Sequence, residues 1–178
     1  MRRMLVMTVI GQDRPGLVEA VAGLVAEHGG NWLESRMSRL GGQFAGILRV
    51  EVFEAQEPAL ISALRNLETR GLKVVIHPDE PPAVAPVLRP SVLEIVGQDR
   101  PGIIREISRA LATHGINVEE LQTERSSAAM SGETLFKARA TLNIPPKCDV
   151  AGLRQELEKI ASDLIVDISL AELPAEKT

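Results

Sequence analysis

Gly11-Gln12-Asp13-Arg14-Pro15-Gly16 recurs, residue for residue, as Gly97-Gln98-Asp99-Arg100-Pro101-Gly102. The offset is 86 positions (97 − 11) in a chain of 178 residues, which points to an internal duplication. An apolar run precedes each copy, Met4 to Ile10 and Val92 to Val96, short enough for a buried strand. After each copy, Leu17, Val18, Val21, Leu24 and Val25, or Ile103, Ile104, Ile107 and Leu111, fall at helical spacing. The hexapeptide therefore reads as a strand-to-helix turn, and the chain as two copies of one unit.

That turn carries the candidate chemistry. Pro15 and Pro101 suit a first helical turn, where the missing N–H has no intrahelical partner to lose. The amides of Gly16, Leu17, Gly102 and Ile103 then point out of a helix N-terminus, which favours a carboxylate or a phosphate. Asp13 and Asp99 stand just before that positive end. Amides for an anion beside a carboxylate for a cation match the two ends of a free amino acid, whereas a phosphate is repelled by the Asp. The alternative is that Asp13 and Asp99 are plain N-caps, bonding the helix amides and nothing else.

After the helices come Glu27-His-Gly-Gly-Asn31 and Thr113-His-Gly-Ile-Asn117. Gly29 and Gly115 are expected as C-terminal caps, with His28 and His114 in the last turn beside the negative end of the helix dipole. Asn31 and Asn117 each follow their Asp by 18 residues (31 − 13 and 117 − 99). They are either partners of the turn or simple loop residues. Residues 32–40 and 118–125 read as polar edge strands. A tight hairpin at Gly41-Gly42 follows in the first copy, and a longer loop at 126–132 in the second.

Phe44, Gly46, Leu48, Val50 and Val52 alternate with polar residues, as do Phe136, Ala138, Ala140 and Leu142, which is the period of a half-buried antiparallel strand. Second helices carry Leu60, Leu64 and Leu67 after Pro58, and Leu153, Leu157 and Ile160 after Pro145-Pro146. Last strands carry Leu72, Val74 and Ile76, and Leu164, Val166, Ile168 and Leu170. The order strand, helix, strand, strand, helix, strand predicts an α+β fold, a ferredoxin-like βαββαβ unit with two helices on one face of a four-stranded antiparallel sheet. The expected layout is a first domain at 1–77, a Pro-rich connector at 78–90, a second domain at 91–171 and a tail at 172–178.

Composition narrows the function. With 44% hydrophobic and 25% charged residues and no long apolar stretch, the chain reads as a soluble, cytoplasmic protein. A net charge of −4 with dispersed Lys and Arg argues against direct nucleic-acid binding. The only aromatics are Trp32, Phe44, Phe53 and Phe136, too few for base stacking. Cys148 is the sole cysteine, so neither a disulfide nor a cysteine metal cluster forms within the chain. No cofactor is expected, and no motif pairs a nucleophile with a base.

A βαββαβ unit with Gly-x-Asp-x-Pro-Gly before its first helix and His-Gly-x-Asn after it resembles an ACT domain, over residues 4–76 and 91–170. Two such domains, together with Ser131-Gly-Glu-Thr-Leu-Phe-Lys-Ala138, are similar to the glycine cleavage system transcriptional repressor family. The resemblance implies a non-enzymatic sensor of glycine or another small amino acid that controls a protein partner, a transcription activator. It further implies homodimers through pairing of ACT domains. Carried over residue by residue, Asp13 and Asp99 face the ligand ammonium. Pro15, Gly16 and Leu17, like Pro101, Gly102 and Ile103, form the carboxylate side, and Asn31 and Asn117 approach from a neighbouring domain. The chain departs from some amino-acid-binding relatives, which carry His at the places of Gly11 and Gly97, or Asn at those of Asp13 and Asp99. Two other readings remain: regulatory domains detached from a deformylase- or phosphatase-like enzyme, and an interaction module indifferent to ligands.

Overall fold

The computed structural model describes residues 1–79, 88–127 and 134–173. It divides into two units, Met1–Ala83 and Val84–Thr178. The first holds β1 (Arg2–Gln12), α1 (Leu17–Glu27), β2 (Asn31–Leu40), β3 (Gln43–Phe53), α2 (Glu57–Asn66), a 3-10 turn (Leu67–Arg70) and β4 (Leu72–Pro78). The second holds β5 (Arg89–Gln98), α3 (Ile103–Thr113), β6 (Asn117–Ser127), β7 (Thr134–Ile144), α4 (Val150–Leu164) and β8 (Val166–Glu172). The sheets are ordered β2-β3-β1-β4 and β6-β7-β5-β8, with antiparallel neighbours throughout. Each unit is thus the ferredoxin-like arrangement that the strand and helix order implies. Most of the Pro-rich connector (80–87), most of the second hairpin loop (128–133) and the end of the tail (174–178) lie outside the described residues.

Period-two alternation decides which side of each sheet is packed. Leu5, Met7 and Val9 of β1 and Leu48, Val50 and Val52 of β3 are at most 1% exposed, and they meet Leu17, Val21 and Val25 of α1 and Leu60 and Leu64 of α2. In the second unit, Leu93 and Ile95 of β5 and the even positions of β7 from Ala138 to Ile144 meet Ile103, Ile107 and Leu111 of α3 and Leu153, Leu157 and Ile160 of α4. The polar strands β2 and β6 lie at the edges of their sheets. Gly41 and Gly42, both at positive φ, make the tight β2–β3 hairpin, a conformation that costs glycine least. Each edge strand also carries a bulge at the same place, between Trp32 and Glu34 and between Val118 and Glu120.

The opposite faces of the two sheets differ. On the first, Thr8 pairs with Ile47 and Val75; at the matching level of the second, Glu94 pairs with Arg139 and Ser169. At this level the first sheet is apolar and the second charged. At one end of the first sheet, Arg3 and Glu54 form an exposed clasp. The hydrogen bond from Arg3, aided by its charge, holds the Glu54 carboxyl below its ordinary range.

Several sequence expectations are corrected in detail. Helices α1 and α3 begin at Leu17 and Ile103, with Gly16 and Gly102 as N-caps, so Pro15 and Pro101 precede the helix and are not in its first turn. A proline ring at that place fixes its own φ and disfavours a helical conformation of the Arg before it. His28 and His114 are themselves the C-caps, and the left-handed Gly29 and Gly115 follow them. Leu164 closes α4 and does not start the last strand.

Ile165, between α4 and β8, adopts φ 56° and ψ 55°, the only described non-glycine residue at positive φ. The first unit has Gly71 at the equivalent place, with φ 80°. A left-handed L-residue costs about 1–2 kcal/mol, and the Ile165 side chain, 64% exposed, recovers little by burial. Ile165→Gly should therefore stabilise the protein by about 0.5–1 kcal/mol after the greater unfolded-chain entropy of glycine is subtracted, read as a higher urea midpoint. A lower midpoint would mean that the side chain makes contacts worth more than the strain.

Candidate functional site

The turn between β1 and α1 is built by close approach. At Gly11 a Cβ would lie 2.5 Å from the Gly71 carbonyl oxygen, and at Gly97 one would lie 2.6 Å from Val166 Cγ1 and 2.8 Å from its Cα. These glycines let the end of the first strand press against the start of the last. The histidine of some amino-acid-binding relatives has no room on this backbone. Beyond the strand, the Asp13 amide donates to the Gly42 carbonyl (2.9 Å) and the Asp99 amide to Thr134 (3.0 Å), tying each turn to the hairpin side of the sheet. The guanidinium of Arg14 reaches the other way and donates to the Arg70 carbonyl, whereas Arg100 donates to Gln98 beside it (3.1 Å).

Gly16 and Gly102, with φ of 89° and 96°, then open the helices with no side-chain cap. Their carbonyls accept from Ala20 (2.9 Å) and Glu106 (3.0 Å), so the amides before these have no partner within the helix. Leu17 and Ile103 are buried, and only their backbones can serve a ligand. The plain-cap interpretation of Asp13 and Asp99 is thereby overturned: neither carboxylate bonds a helix amide.

The carboxylates are held by two arginines that sequence reasoning did not single out. Arg39 Nε lies 2.6 Å from Asp13 Oδ2, and Arg125 Nε 2.7 Å from Asp99 Oδ2. The arginines stand at the ends of β2 and β6 and keep the same spacing of 86 as the Asp pair (125 − 39), a signal that was available in the sequence. Asp13 and Asp99 are about 30% exposed, their arginines about 70%.

Asn31 and Asn117 are not beside the turn of their own unit. Helix α1 returns the chain to the starting level of β1, so Asn31 pairs with Glu51, opposite Met4, while Gln12 pairs with Gln43. Eight residues of strand (12 − 4) separate the two levels, about 27 Å. Asn117 sits at the same place in the second unit and donates to Glu119.

In the first unit the turn borders a hollow of about 130 Å³, lined among others by Arg14, Pro15, Gly16, Leu17, Glu19 and Arg70. Asp13, turned to Arg39, does not line it. In the second unit the register places Leu164 where the first has Arg70, and Arg105 where it has Glu19, so the two turns offer different charges. A shallower hollow of about 590 Å³ lies over the open face of the second sheet, but its charges answer each other, Arg139 to Glu94 and Lys137 to Glu124. Among the described residues no group of three or more His, Cys, Asp or Glu side chains is placed to hold a metal ion. No described helix is long and apolar enough to cross a membrane.

Comparison with known proteins gives the same architecture. The glycine cleavage system transcriptional repressor of Escherichia coli is 25% identical over 167 residues, covering 90% of this chain and 85% of that protein. A phosphoserine phosphatase of Mycobacterium tuberculosis is 26% identical over 177 residues, 94% of this chain but 40% of the enzyme. Among solved structures, an unknown protein from Galdieria sulphuraria superposes with a TM-score of 0.84 at 29% identity over 98% of this chain and all of that one. Residues 3–77 and residues 91–137 each match the ACT domain. With a βαββαβ unit around each match, the chain belongs to the ACT-domain family, as a tandem of two such domains.

Proposed function

We propose that the protein is a non-enzymatic amino-acid sensor whose ligand, glycine or another small amino acid, binds at the β1–α1 turn of the first unit. The observation that carries this is the Asp13–Leu17 turn itself, where uncapped helix amides stand within one turn of a carboxylate. The ligand carboxylate takes the Gly16 and Leu17 amides, with Arg14 and Arg70 adding positive charge, and the ammonium takes Asp13. The hollow there excludes large side chains unless they project into water. Asn31 and Asn117 contribute only from a neighbouring ACT domain, since neither lies near its own turn.

Regulation runs through a protein partner, a transcription activator, and no direct nucleic-acid contact is involved. Support for this comes from the repressor of Escherichia coli, similar over most of both chains, and from the acidic net charge. The enzyme relative is covered over less than half its length, consistent with shared regulatory domains and no shared catalysis. The working compartment is the cytoplasm. A second copy docks by ACT–ACT pairing; Ile10, Ile47 and Val75, each more than 40% exposed on the open face of the first sheet, give such pairing an apolar surface. Ligand that bridges domains shifts their arrangement by no more than its differential affinity for the two states.

Thermal unfolding against a panel of amino acids tests this. At 100 times its dissociation constant a ligand stabilises the fold by about 2.7 kcal/mol, and a chain of this length responds by roughly 2–4 °C per kcal/mol. A rise of roughly 5–10 °C with glycine or serine is expected. A flat panel at millimolar concentrations would instead leave the ligand-independent interaction module.

A further inference from the structure

We infer that Arg39 is an inhibitory latch on the ligand site: it pairs with the Asp13 carboxylate and must be released before Asp13 can receive an ammonium. The inference rests on the proposed amino-acid site and adds its regulation. Asp13 Oδ2 is 2.6 Å from Arg39 Nε, and Asp13 does not line the hollow that holds Gly16, Leu17 and Arg14. The latch therefore does two things. It neutralises the carboxylate, and it holds the side chain toward the hairpin, away from the helix amides.

The pair is suited to breaking. Arg39 is 70% exposed, so the ion pair is water-screened and weak, and an incoming ammonium competes with it on comparable terms. Release also has somewhere to report. Arg39 is the penultimate residue of edge strand β2, next to the Gly41-Gly42 hairpin, and that hairpin's Gly42 carbonyl receives the Asp13 amide. A ligand that displaces Arg39 thus removes the side-chain link between the turn and the end of β2 and leaves the backbone bond from Asp13 to Gly42 as the tie between turn and hairpin. The same contact in the second unit, Arg125 to Asp99, shows that the device belongs to the duplicated unit. Along the ten aligned positions of β2 and β6, only Asn31/Asn117, Glu34/Glu120 and Arg39/Arg125 are identical.

Glycine and serine titrated calorimetrically into the full-length protein and its Arg39→Gln variant, at low and at about 1 M salt, test the latch. Removing a surface ion pair's competition should make Arg39→Gln bind about two- to fivefold more tightly at low salt. The ratio should fall toward one at about 1 M salt, where the screening length is only about 3 Å. Binding that appears in Arg39→Gln while the wild type shows none supports the latch more strongly still. Equal or weaker binding by Arg39→Gln overturns the latch while leaving the sensor standing. Failure of both proteins to bind overturns latch and sensor together.

Discussion

Gly97→Ala is expected to destabilise the protein by about 3 kcal/mol, and Gly11→Ala by a similar amount, although each adds a single methyl group. The reason is where the methyl would go. At Gly97 it would meet Val166 Cγ1 at 2.6 Å, Val166 Cα at 2.8 Å and the Ile165 carbonyl oxygen at 2.9 Å; at Gly11 the Gly71 carbonyl oxygen at 2.5 Å. Two of the three Gly97 contacts are backbone, one in Val166, which pairs directly with Gly97, and one in Ile165 just before that strand, so rotamer changes cannot relieve them. Either the β5–β8 ladder opens at Gly97 and Val166, or the strained Ile165 shifts. Gly23→Ala is the matched control. Gly23 lies inside α1, and the nearest atom to its would-be Cβ is Glu19 Oε1 at 3.8 Å, so this substitution should stabilise by about 0.5–1 kcal/mol. Urea unfolding of the three variants decides. A loss below about 1 kcal/mol for Gly97→Ala would mean that the strands do not meet as closely as described.

The same glycines show what the sequence could and could not say. The duplicated hexapeptide located strand, turn and helix in both units, because apolar periodicity on either side of a turn is a local property. Alternation along β3 and β7 likewise identified the buried face, and the polarity of β2 and β6 their edge positions. Tertiary register was not legible. Gly11 and Gly97 read as parts of a ligand turn, but their necessity comes from the last strand, about 60 to 70 residues later in the chain. Asn31 followed Asp13 by a helix's length and could have been its neighbour; the helix returns the chain to the opposite end of the sheet.

Arg39 and Arg125 went unread for the same reason, since only the hairpin's register brings them to the aspartates. Their shared spacing was visible, but spacing alone does not say what a side chain meets. Pro15 and Pro101 missed the helix by two residues because the cap is a left-handed glycine, which the hexapeptide allows but does not announce.

Asp13→Ala should reduce glycine affinity by about 10- to 100-fold, the loss expected when a charged group forfeits its hydrogen-bonded counter-charge. Asp13 is 31% exposed, which places the effect toward the lower end of that range. Stability should change little, since the Arg39 pair is a surface one. The discriminating comparison is Glu19→Ala. Glu19 already lines the hollow beside Gly16 and Leu17 and could receive an ammonium without any latch being released. If Asp13 is the acceptor, Glu19→Ala costs about twofold or less; if the order of the two losses reverses, the ammonium belongs to Glu19, and the latch falls while the sensor remains. Asp99→Ala completes the test. The hollow beside the second turn, about 840 Å³ against about 130 Å³ at the first, encloses a small amino acid less closely, so Asp99→Ala should leave the tight glycine site within about twofold of wild type. Equal losses from Asp13→Ala and Asp99→Ala would show instead that the duplication kept two working sites, and that the smaller volume of the first hollow does not select the ligand.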